Sequence, residues 1–130
     1  MGGEEDLEKL LALLQPSLQP GDFVFCTVGD MNYGDLAALQ PVASYMEDEG
    51  LSLVLHKGVA DEAGLTYESV FRCISLKVHS SLEAVGLTSA VSTRLAANGI
   101  SANVIAAFYH DHIYVPKDKA KVALQLLEKL

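Results

Sequence analysis

Residues able to do chemistry gather in one short stretch, His79-Ser80-Ser81-Leu82-Glu83-Ala84-Val85-Gly86. It joins a strand-like run to a helix-like run. A loop of that kind turns backbone N–H groups out beside a helix N-terminus, and such groups favour a carboxylate. Gly86 allows a close approach of a ligand or a positive φ. Ser80 and Ser81 add hydroxyls, and His79 adds a titratable donor. A bound amino acid needs a carboxylate cradle, which this loop supplies. It also needs an acceptor for its ammonium, for which Glu83 or an acidic residue of the other half of the chain is available. The stretch has a second reading: Ser80 and Glu83 stand in the S-x-x-E spacing of a capping box, which needs no ligand. Both readings stand at this stage.

The other reactive side chains are less suggestive. His110-Asp111-His112 has the residue types of a metal site, but strand alternation keeps three consecutive residues from facing one ion. A turn with one packed histidine is the preferred reading, and no metal is expected. His56 reads as a surface residue. Tyr33 sits in a polar loop from Asp30 to Asp35, read by default as exposed and mobile. Neither G-x-S-x-G, nor a P-loop, nor G-x-G-x-x-G occurs, so no catalytic residue is nominated and no cofactor is expected.

Composition narrows the classes further. The chain has 130 residues, half of them hydrophobic and 20% charged, which suits one ordinary domain or two very small ones. The net charge of −8 disfavours nucleic acid or an anionic membrane as partner. No apolar run approaches the roughly 20 residues that span a bilayer. The acidic opening, Met1-Gly2-Gly3-Glu4-Glu5-Asp6, lacks the basic lead of a targeting segment. A cytoplasmic protein is the expectation. Cys26 and Cys73 each lie inside a strand-like run and read as buried free thiols.

The elements that must hold the loop follow from periodicity. Leu7, Leu10, Leu11 and Leu14 line one face of a helix over residues 4–14, stopped by Pro16. Phe23 to Val28 reads as a buried strand, and Leu36 to Leu39 as a helical turn. Val42 to Met46 and Leu51 to Leu55 read as a hairpin around Glu47-Asp48-Glu49-Gly50. A short helix over Val59 to Ala63 ends at Gly64. In the second half, Val70 to Val78 is a strand, Leu87 to Ala97 a helix and Asn103 to Tyr109 a strand. His110-Asp111 turns the chain into a strand from His112 to Val115, and Lys117 to Leu130 is a helix. Lys117-Asp118-Lys119-Ala120-Lys121 is its solvated face. Leu53-Val54-Leu55-His56-Lys57 with Ala60 parallels Ile113-Tyr114-Val115-Pro116-Lys117 with Ala120, a weak repeat at about 60 residues. The second half ends on a helix where a βαββαβ unit would continue into an edge strand. Val70 to Val78 is a candidate for a strand shared by two units.

Three blocks carry a resemblance. They are Cys73 to Thr88, Leu95 to Ala106, and Tyr109 to Pro116, with Pro20 to Val28 and Glu49 to Leu55 from the first half. On these the chain resembles ACT domains, and the small two-ACT bacterial proteins of the DUF2241 type in particular. It is more distantly similar to the tandem-ACT arginine-sensing proteins of animal nutrient signalling. The resemblance implies an α+β fold of two ferredoxin-like βαββαβ units, with an antiparallel sheet and helices on one face. The units would be residues 1–66, abbreviated, and residues 67–130, complete. It implies a non-enzymatic regulatory protein that binds a small molecule, an amino acid by preference, or alternatively a dimerisation or interaction module without a ligand. A homodimer is expected, with no nucleic-acid or membrane partner. Carried over residue by residue, the implied ligand-binding positions are His79, Ser80, Leu82, Val85 and Gly86, with Asn103 and Val104 opposite.

Overall fold

Alternation of apolar residues produces most of the strands. In a computed structural model that describes residues 3–130, Phe23–Val28 (β2) turns Val24, Cys26 and Val28 inward, and Gly50–His56 (β4) turns Leu51, Leu53 and Leu55 inward. Helices Leu7–Ala12 (α1), Lys57–Glu62 (α2), Leu87–Ala96 (α3) and Ala120–Glu128 (α4) separate the strands. The remaining strands are Pro16–Leu18 (β1), Ala43–Glu47 (β3), Phe71–Leu76 (β5), Asn103–Ala106 (β6) and Asp111–Pro116 (β7).

The chain forms two compact units. Gly21–Phe71 is one, with strand order β3-β4-β2 and antiparallel pairing throughout. Phe71, the first residue of β5, pairs with Phe23 and fills a fourth position beside β2. Where a full βαββαβ unit has a crossover helix between its first two strands, this unit has a 3-10 turn at Tyr33–Asp35 and a second turn in which Leu39 and Gln40 both donate to the Leu36 carbonyl. Leu36 and Leu39 are buried there. Two leucines thus stand in for the helix.

The other unit joins the segment up to Pro20 to Arg72–Leu130. Its strand order is β1-β5-β7-β6. The edge strand missing after α4 is β1: Pro16, Ser17 and Leu18 pair antiparallel with Leu76, Ser75 and Ile74. Gln15, at φ 46°, turns the chain from α1 into this strand. Gln19 N–H donates to the Cys73 carbonyl at 2.8 Å, and Arg72 returns a guanidinium bond to the Gln19 carbonyl at 3.0 Å. α4 packs on β1, as a final helix packs on its following strand. Strand β5 therefore serves twice, with Phe71 in one unit and its remaining residues in the other.

The repeat is structural. His56 and Pro116 hold the same pre-helix conformation, φ −60°, ψ 137° and φ −53°, ψ 137°. Ala60 and Ala120 are both buried four residues further on. Helix α1 spans less than the periodicity predicts, because Asp6 caps it and it stops at Ala12. β6 ends at Ala106 and β7 begins at Asp111, so the aspartate assigned to the turn belongs to a strand.

Leu10 and Leu14 from the N-terminal segment enter the same core as Ile74, Val91, Leu95, Ile113 and Leu127. Leu10→Ala is expected to destabilise the protein by about 3 kcal/mol in urea unfolding, as a full core truncation does. A cost of a few tenths would mean that the N-terminal helix is a dispensable appendage.

Candidate functional site

The loop from His79 to Gly86 leaves β5 and reaches α3 within one unit. Its first part is held by the chain's own N-terminus. Glu4 forms a parallel bridge with Ser80: Glu4 N–H donates to the His79 carbonyl at 2.9 Å, and Ser81 N–H donates to the Glu4 carbonyl at 3.0 Å. Gly3 is required there, because a Cβ would lie 2.4–2.5 Å from backbone atoms of residues 79–81. Ser80 is buried against this strap.

The capping-box reading is not realised. Ser81 Oγ accepts from Glu83 N–H and the Ser81 carbonyl from Ala84 N–H, so residues 81–84 form a small turn of their own. Helix α3 starts at Leu87, and its N-cap is Gly86 with φ 100° and no side-chain capping bond. The first-turn amides of α3 therefore lack the side-chain acceptor usual at a helix start. Gly86 suits this position through its φ of 100°, which L side chains rarely adopt, and a Cβ would press on Leu7 Cδ2 of α1 at 3.1 Å.

The sequence-predicted residues fall into three groups. The strap bridges His79 and Ser80, and Leu7 of α1 lies against Gly86. His79 also faces the rings of Tyr109 and Phe108, with centroids at 5.3 and 6.3 Å. Leu82 and Val85 project outward and are largely exposed. Asn103 and Val104 pair with Tyr114 and Ile113, and the Asn103 amide donates to the Tyr114 carbonyl. His110, at the start of the β7 side, contacts the Val78 carbonyl just before the loop. Asn103 stands opposite the far part of β7, about 10 Å further along the strand from Asp111.

The His110-Asp111-His112 triplet divides its side chains. His112 Nδ1 is 2.7 Å from Ser75 Oγ, and burial, with His110 adding to it, lowers the imidazole below its usual value. Asp111 points to the helix-bearing side with Ile113 and Val115 and is itself buried. Burial pushes its carboxyl above the ordinary carboxylate range, and His112 and His110 offset this only in part. Its backbone pairs with Ala106 of β6.

On the opposite side of β5 and β7, Ser75 also lies 3.8 Å from Cys73 Sγ, and Cys73 bonds Tyr114. Burial raises the Cys73 thiol, with these two bonds opposing it, and raises the Tyr114 hydroxyl. Cys26 is buried as well, and its thiol too is raised by burial. Both cysteines are free. No helix among the described residues is long and apolar enough to cross a membrane.

Units of this strand order define a class, the tandem ferredoxin-like proteins. Family models described as ACT domain match residues 2–72 and residues 68–129. The chain belongs to the ACT-domain family. No curated protein matches it. Among solved structures it is 53% identical to a Vibrio cholerae protein described as of unknown function and as a possible transport protein. That match covers 95% of this chain and 94% of the other, with a TM-score of 0.86. An Agrobacterium tumefaciens protein is 17% identical over 88% of this chain and 86% of its own, with a TM-score of 0.72. The regulatory subunit of aspartate kinase from Thermus thermophilus, in a ligand-free form, is 12% identical over 90% of this chain and 97% of its own, with a TM-score of 0.61. The last two show the fold alone.

Gly3→Val is expected to detach the strap while leaving the core intact. Hydrogen exchange at the Ser81 amide should speed up by an order of magnitude or more, with only a slight fall in melting temperature. Unchanged exchange at Ser81 would show that the strap does not hold the loop.

Proposed function

We propose that this protein is a non-enzymatic regulatory protein of the DUF2241 type, acting in the cytoplasm, which binds an amino acid at the loop from His79 to Gly86. ACT domains are typically small-molecule-binding regulatory modules, and the aspartate kinase regulatory subunit shares the fold. The observation that carries the reading is the start of α3. A ten-residue helix begins at a left-handed glycine with no side-chain cap, so its first-turn amides are free to receive a carboxylate. His79, Phe108 and Tyr109 form an aromatic wall beside the same loop, suited to a ligand side chain. Leu82 and Val85 are exposed apolar residues at its mouth.

A second reading is a homodimerising interaction module without a ligand. The open face of β3 favours it, since Tyr45 and Met46 are exposed on this edge strand.

A thermal-shift screen of the twenty amino acids separates the two. A ligand at 100 times its dissociation constant stabilises the folded state by about 2.7 kcal/mol, an easily measured rise in melting temperature. Gly86→Val places a β-branched residue at φ 100° against Leu7, at a cost of roughly 1–3 kcal/mol, and is expected to abolish the ligand-induced shift. No shift with any amino acid at millimolar concentration would remove this reading and leave the interaction module. Its own expected outcome is a dimer by sedimentation that Tyr45→Lys converts to a monomer.

A further inference from the structure

We infer that the outer edge of β3 is a docking strand for an extended, basic segment of a partner protein. The first unit, Gly21–Phe71, carries nine Asp and Glu against one Lys and no Arg, a net charge of −8. The other unit has eight acidic and eight basic residues, so the whole net charge of the chain sits in the first unit. Its single lysine is engaged: Lys57 Nζ lies 2.9 Å from Asp61 Oδ2 on α2, and Asp61 also accepts from the Tyr67 hydroxyl at 2.6 Å. No lysine or arginine of this unit is left for Glu47, Asp48 and Glu49, which are all exposed where β3 turns into β4. Ser52 donates its hydroxyl to Glu47. A Cβ on Gly50 would come 3.0 Å from the Gly29 Cα, so exposed Asp30, next in the chain, stands at the same end of the unit.

This acidic end finishes a strand that is open to pairing. β3 is the outer strand of its unit and pairs with β4 residue for residue, from Ala43 with Val54 to Glu47 with Gly50. It contains no bulge, lysine or proline, the devices that keep edge strands from pairing. Ser44 to Glu47 are exposed, and Tyr45 (72%) and Met46 (46%) stand on opposite faces. An added strand finds backbone groups along β3, a large side chain to cover on each face, and carboxylates at one end. The edge strand of the other unit, β6, offers less: Val104 and Ile105 are partly buried, and it exposes Asn103 and Ala106 in a unit of balanced charge. Charge selects the occupant. A second copy pairing at β3 brings two units of −8 together. Lysines and arginines beside Glu47, Asp48 and Glu49 instead speed the encounter and fix the register. The loop site lies in the other unit, and this inference does not rest on it.

NMR titration of the isotope-labelled whole chain with a synthetic peptide tests this. The peptide alternates valine and threonine and ends in a run of lysines; its twin ends in glutamates. The basic peptide should bind with a dissociation constant on the order of 10–100 µM at low salt and shift the Ala43–Glu47 amides. High salt should weaken it by about tenfold or more, and the acidic twin should not bind. Methylating alternate peptide nitrogens along one edge should abolish binding, while methylation along the other edge should be tolerated, as strand pairing requires. Asp48→Lys combined with Glu49→Lys, a change in an exposed turn, should weaken the basic peptide about tenfold or more. Absence of binding at millimolar peptide overturns the inference, as does equal binding of the twin or tolerance of methylation along both edges. Unchanged affinity in the double variant, or shifts confined to the other unit, overturns it too. The peptide arms use the wild-type chain, so they decide the matter even where the double variant does not fold. A dimer in sedimentation that Tyr45→Lys dissociates gives the edge to a second copy and overturns the basic partner.

Discussion

A strand with an apolar face cannot be left with a bare edge over a core, and that constraint governs the second unit. After α4 the unit needs a strand beside β5 along Ile74–Leu76. The N-terminal segment provides that strand. Three residues of β1 close the edge, and the segment before it brings Leu10 and Leu14 into the core. Once the segment is committed there, its first residues lie across the loop that follows β5, and Glu4 bridges Ser80 as a consequence. The geometry of the candidate site thus depends on an edge-pairing problem solved elsewhere in the same unit.

β5 contributes its first residue to one unit and its remaining residues to the other. Phe71 pairs with Phe23, and the rest of β5 pairs within the other unit. A strand used twice must be apolar on more than one count, and Cys73, Ile74, Ser75 and Leu76 are all buried. Two polar side chains among them are tolerable because they are bonded: Ser75 to His112 and Cys73 to Tyr114. Parallel reasoning applies to the shortened crossover of the first unit, where Leu36 and Leu39 fill the space that helix side chains would otherwise occupy.

Much of this was legible from residue order, and the exceptions have definite causes. Alternation located β2, β4 and β5 within a residue or two, and glycine stops placed the ends of α2 and α3. β1 was not legible, because Pro16-Ser17-Leu18 is too short to show a period and proline argues for an ending rather than a strand. The loop stands out in the sequence by its serines and glycine, which leave a ligand reading and a capping-box reading both open. Ser80 and Glu83 match a capping box in spacing, but the helix they would cap starts later, and Ser81 takes the amide of Glu83 instead. Asp111 was hidden by its neighbours: beside His110 it resembles a turn residue, and its burial is decided only by where β7 begins. The repeat contained the missing signal, since its register sets Asp111 against a fully buried leucine.

The costs in this fold are unevenly distributed, and their distribution is informative. Gly86 takes φ 100° freely and serves as an N-cap at a loss of only about a few tenths of a kcal/mol. Asp111 is desolvated at the start of β7, with His112 and His110 offsetting the burial only in part. The corresponding strand in the first unit carries Leu51 where Asp111 stands, and the fold closes around it without loss. A scaffold selected only for packing would relieve the second unit in the same way. The carboxylate at Asp111 is therefore a packing cost that the first unit, with Leu51 at the matching position, does not carry.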